Sequence, residues 1–73
     1  MEKLNELIEL CISLSDIKAN NYYNLDIIPQ GDSIVVYKIV ANDVEDMDVS
    51  SLCNEGAENL INWVHEKEHR DAE

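Results

Sequence analysis

At 73 residues and 45% apolar side chains, the chain has room for one domain with a small core and no second lobe to wall a deep cleft. Sixteen acidic residues against five basic ones set a formal net charge of -11. That balance excludes a nucleic-acid binder that neutralises phosphates and repels an anionic membrane surface, so the charge calls for a basic partner.

The opening Met1-Glu2-Lys3-Leu4-Asn5-Glu6 carries acids where a signal peptide needs a basic stretch and then an apolar run. No apolar block approaches a membrane span, and the compartment expected is a reducing cytoplasm. From Glu2 to Leu14 the spacing of Leu4, Leu7, Ile8, Cys11 and Leu14 predicts an amphipathic helix, with Glu2, Glu6 and Glu9 on another side. Lys18-Ala19-Asn20-Asn21 should end it, because paired asparagines favour turns and left-handed backbone.

Tyr22 to Ile28 reads as a strand in which Tyr23, Leu25 and Ile27 alternate with Tyr22, Asn24 and Asp26. Pro29-Gln30-Gly31-Asp32 is a turn, and Ser33 to Ala41 a second, β-branched strand; so short a connection predicts an antiparallel hairpin. In the second strand Val35, Tyr37, Ile39 and Ala41 are assigned to the helices, and Ile34, Val36, Lys38 and Val40 to an outer face that is apolar apart from the lysine. Asn42 to Ser50 is either a solvated acidic loop or a loop leading into a short third strand around Met47 to Ser50, and the strand is favoured because a bare hairpin is a poor sheet. A last helix starts at Ser51 or Asn54 and runs to Glu68. Cys53, Ala57, Leu60, Ile61 and Val64 form its stripe, Gly56 weakens its first turn, and the tail from Arg70 is expected to fray.

The sum is one α+β domain over residues 1–73: a small antiparallel sheet of two or three strands, flanked on one face by an N-terminal and a C-terminal helix. The core expected is Leu4, Leu7, Ile8, Cys11, Leu25, Ile27, Val35, Tyr37, Ile39, Leu60, Ile61 and Val64. Cys11 and Cys53 read as free, partly buried thiols, ahead of a disulfide or a shared metal.

Catalytic motifs are tested and set aside. His65-Glu66-Lys67-Glu68-His69 fits the H-E-x-x-H spacing of zinc proteases, but it sits in the final turns with no third ligand and no cleft to hold a substrate. The acidic run fails as a calcium loop. A start at Asp43 puts Met47 at position 5 and Asn54 at position 12; a start at Asp46 puts Ser51 at position 6 and Ala57 at position 12. Two tail histidines and two cysteines in apolar stripes form no evident nucleophile–base pair, and two glycines form no phosphate loop. No enzyme, cofactor or metal site is expected.

Between Lys38 and Lys67 there is no basic residue, while Asp43, Glu45, Asp46, Asp48, Glu55, Glu58 and Glu66 accumulate. Helical spacing at Glu2/Glu6/Glu9 and Glu55/Glu58 sets carboxylates in a row that imitates a phosphate backbone. The competing explanation is that the charge only keeps a small protein in solution. Asp43, Glu45, Asp46 and Asp48, continued by Glu55 and Glu58, are the candidate partner-binding residues. The partner expected is a basic surface of a nucleic-acid-handling protein, with no direct nucleic-acid contact and no membrane.

A small, strongly acidic chain with an N-terminal helix, a β-hairpin after an Asn-rich link and an acidic C-terminal helix resembles the small phage-encoded anti-CRISPR proteins. In layout it is similar to type II inhibitors that mimic DNA and occupy the PAM-reading groove of the effector nuclease. The resemblance spans most of the chain as architecture and charge, and it carries over no site residue. It implies a competitive inhibitor acting in the host cytoplasm. The alternatives are an acidic antitoxin covering a basic toxin, or an interaction module that pairs with itself through an apolar sheet face.

Overall fold

The computed structural model describes residues 1–15 and 20–71. Helix α1 (Glu2–Leu14) leads to strand β1 (Asn21–Ile28), a helical turn (Pro29–Gly31), strands β2 (Ser33–Val40) and β3 (Asp43–Ser51), and helix α2 (Asn54–Asp71). The three strands form one antiparallel sheet in the order β1-β2-β3. Both helices pack on a single face of it, α1 chiefly over β1 and α2 chiefly over β3, and they touch each other. The architecture is α+β, with the third strand present and nearly as long as the chain segment allows.

Local chemistry sets the joints. Ser15 ends α1: its Oγ donates to Cys11 O at 2.6 Å and accepts the Tyr23 N–H at 3.2 Å, which ties the helix end to β1. Of the asparagine link, Lys18 and Ala19 lie outside the described residues, while Asn20 takes the left-handed backbone its side chain tolerates, at φ 58°. Ala41 and Asn42 both have positive φ, 53° and 70°, which is the twist a two-residue hairpin between β2 and β3 requires. That tight hairpin replaces the loop. Asp43 to Ser51 is strand throughout, with one irregularity between Lys38 and Ile39 that leaves Glu45 as the extra residue.

β3 turns into α2 through Leu52 and Cys53. Leu52 N–H donates to Asp32 O at 2.7 Å, and Cys53 N–H to Ser51 O at 2.9 Å. Gly56 is buried where the Ser51 carbonyl lies against it; a Cβ there would stand 1.9 Å from that oxygen. The glycine thus permits a close approach rather than merely weakening a turn. Cys53 precedes the helix and is exposed, so it does not belong to the apolar stripe; both thiols are free, and only Cys11 is buried. The helix itself continues past Glu68 to Asp71.

The core is Leu7, Cys11, Tyr23, Ile34, Val36, Ala57, Leu60 and Val64, with Leu4, Leu10, Leu14, Leu25, Leu52, Ile61 and Trp63 packed around it. This reverses the assignment of the faces of β2. Ile34 and Val36 are fully buried beneath the helices and Lys38 is on the same side, whereas Val35, Tyr37 and Ile39 point to the other face of the sheet. The cause is register. The four-residue turn pairs Ile28 with Ser33, so Leu25 falls opposite Val36 and Ile27 opposite Ile34. Directly paired residues share a face, so the phase of β1 dictates that of β2. Val35 is buried apart from the helix-side core, Ile27 lies at the uncovered end of the sheet, and Ile8 is half-buried.

Candidate partner-binding surface

β3 is an edge strand, so its acids are held on a ladder rather than on a loop. Period-two alternation divides them. Asp46 and Asp48 pair across from Lys38 and Val36 and so face the helix side, while Met47 and Val49 face away. Asp46 ion-pairs with Lys67 of α2 and its Oδ1 accepts its neighbour's N–H, from Met47, at 2.8 Å. Asp48 Oδ1 likewise accepts the Val49 N–H at 3.0 Å. Asp43 and Glu45 are exposed near the hairpin.

Glu55 and Glu58 sit exposed in the first turns of α2, beside the start of α1, because Lys3 N–H donates to Asn54 Oδ1 at 3.2 Å. Lys3 is ringed by carboxylates. Glu6 lies 3.1 Å from its ammonium, and its hydrogen bond and charge, with the charges of Glu58 and Glu2, hold the lysine pKa above its usual value. Acids near both helix N-termini also meet the positive ends of the helix dipoles. The predicted residues therefore fall in two groups, one at the paired helix starts and one along β3. A short link joins β3 to α2, so the two elements run back in opposite senses and Asp46 meets Lys67 in the later turns. From Glu55 to Glu68 the helix spans about 20 Å at 1.5 Å per residue.

One polar cluster was not anticipated. Lys38, nearly buried, reaches Glu68 Oε2 at 3.8 Å, and its ammonium stands 5.8 Å over the Tyr23 ring. Tyr23 Oη donates to the same carboxylate oxygen at 2.9 Å. Burial, then the hydrogen bond and charge of Glu68, push the Tyr23 phenol well above the usual tyrosine range. The phenol thus stays protonated and serves as a hydrogen-bond donor. A hollow of about 490 Å³ opens beside this cluster, lined in part by Tyr22, Glu45 and Leu14. The cluster's evident work is to fasten the later turns of α2 to the sheet. Lys67 does the same beside it through its ion pair with Asp46, and its ammonium stands 5.7 Å over the Trp63 ring of its own helix.

His65 and His69 are both exposed on α2, and among the described residues no three His, Cys, Asp or Glu side chains converge as a metal site requires. No described helix is long and apolar enough to cross a membrane. No family model, curated protein or solved structure matches the chain.

Proposed function

We propose that this protein is a non-enzymatic inhibitor whose acidic surface occupies a basic nucleic-acid-binding groove, with a CRISPR effector nuclease as the partner class that its layout suggests. The observation that carries the reading is the arrangement of acids on β3 and α2. Asp43, Glu45, Asp46, Asp48, Glu55 and Glu58 lie on two adjoining elements of regular structure. Along β3, Asp43 to Asp48 span about 17 Å at about 3.3 Å per residue and carry four carboxylates, where a DNA strand presents about five phosphates at 3.4 Å of axis each. Lys3 and Lys38 are engaged by Glu6 and Glu68, outside the six, whereas Lys67 pairs with Asp46 and offsets one of them.

Arginines that read duplex DNA engage carboxylates bidentately, as they do phosphates and guanine edges. Because the acids stand on a strand and a helix, little chain entropy is lost when they dock. The inhibitor would compete with DNA, acting in the cytoplasm where the effector works. The test is a DNA-binding competition with a CRISPR effector, using Asp43→Asn, Glu45→Gln, Asp46→Asn and Asp48→Asn together. The combined variant should keep its circular dichroism spectrum and lose inhibition, and inhibition by the parent should weaken steeply with salt. Full inhibition by the neutralised protein would remove β3 from the mechanism.

A further inference from the structure

We infer that the sheet face opposite the helices is a self-association surface, and that its occupant is a second copy of this chain, packed sheet on sheet. Val35, Tyr37 and Ile39 of β2 lie across from Val49, Met47 and Val44 of β3, so the six share that face. Val44, Met47 and Val49 are each about half exposed, at 56%, 49% and 54%. The neighbouring β1 adds Tyr22, Asn24 and Asp26 to the same face, so the paired strands place one carboxylate on it. Among the paired strand residues Asp26 is the one acid on this face, in a chain of charge -11. A basic partner drawn to the rest of the molecule finds almost nothing there to read.

A copy of the same sheet matches it in strand spacing and twist. Three strands about 4.8 Å apart and eight residues long at about 3.3 Å each give a footprint of roughly 14 × 26 Å. Doubled, that is about 730 Å² in plan, and side-chain relief brings the accessible area toward the roughly 1,000 Å² a specific contact needs, so the dimer is a weak and reversible one. Two such faces pack about 10 Å apart. The helix layers then lie outermost, about 30 Å from each other, but the β3 carboxylates and Asp26 belong to the sheet layer and stand nearer the second copy, so like charge opposes pairing at low ionic strength and is screened as salt rises. The surface is separate from the acidic one, and the two respond to salt in opposite directions.

Sedimentation velocity on the full chain, from micromolar to near-millimolar protein, at low and high ionic strength, reads the association directly. The mass should rise from the 8.3 kDa monomer to twice that value, and the dimer fraction at fixed protein concentration should increase with salt. Met47→Lys with Val49→Lys, both at exposed positions, should keep the monomer's circular dichroism spectrum and hold the mass at the monomer value. The neutralised acidic variant should dimerise at least as readily as the parent, which separates this surface from the inhibitory one. A chain that stays monomeric at every concentration and salt would overturn the inference, leaving the face to another protein or to none. A dimer that survives the lysine pair would overturn it equally, by placing the contact elsewhere.

Discussion

Replacing Gly56 with Ala tests the corner between β3 and α2 by the sign of its effect. In an exposed helix interior the change would stabilise by about 1 kcal/mol through helix propensity. Here the new Cβ would lie 1.9 Å from Ser51 O, 2.8 Å from its carbonyl carbon and 2.9 Å from its nitrogen. No rotamer relieves this, since a Cβ position is set by the backbone, so Ser51 or the helix must retreat by over an ångström. Ser51 is the last residue of β3, paired with Ser33, and its carbonyl accepts the Cys53 N–H; Leu52 beside it bonds Asp32. Overpacking strain of about 1–3 kcal/mol and two compromised hydrogen bonds of about 1 kcal/mol each outweigh the propensity gain, for a net loss of about 2–4 kcal/mol. A 73-residue domain holds only about 4–11 kcal/mol in total. The urea midpoint should fall with an unchanged slope, and the melting temperature should drop by about 10–25 °C. A midpoint equal to or above the parent's would refute the close approach.

Two further predictions concern the core. Val36→Asp would bury an unpaired carboxylate beneath both helices and should abolish cooperative unfolding, whereas Ile39→Asp, on the open face, should leave a cooperative melt; the reverse order would reverse the strand phase. With a disulfide-forming thiol reagent near neutral pH, exposed Cys53 should react fast and Cys11 slowly, because burial pushes the Cys11 thiol up to about 11. That raised pKa makes Cys11 favour the folded state fully below pH 9.0 and progressively less toward pH 11, so the urea midpoint of the parent should decline over that window by more than that of Cys11→Ala.

Element order, the helix at Glu2–Leu14 and the hairpin were legible because periodicity and turn chemistry agreed along the chain. The phase of β2 runs opposite to the sequence expectation. Ile34-Val35-Val36-Tyr37 is apolar on both faces, so alternation carries no signal, and Lys38 was turned outward because it is charged. The sequence did hold the answer in the turn length, since a hairpin with Ile28 opposite Ser33 brings Leu25 to Val36. Lys38 is tolerated inside because it meets Glu68, thirty residues further on, a partner that no local pattern discloses. The choice of the six candidate acids rests on charge density and helical spacing. Their division between β3 and the helix starts depended on whether residues 42–50 made a loop or a ladder. Ala41 and Asn42 in left-handed backbone are weaker turn signals than a glycine, which left that choice open.

The acidic edge strand also bears on how the chain behaves at high concentration. Ser33–Val40 is a β-branched segment with a single charge, the composition that stacks into fibrils when it is freed. In the fold it is the central strand, shielded on one flank by a β3 whose carboxylates repel another copy arriving edge to edge. Neutralising Asp43, Glu45, Asp46 and Asp48 relieves repulsion within the monomer, yet it also removes the guard from that edge. The same four positions would then be constrained twice, once by the partner and once by the risk of aggregation. Drift toward neutral residues would be disfavoured even in a lineage that had lost its target.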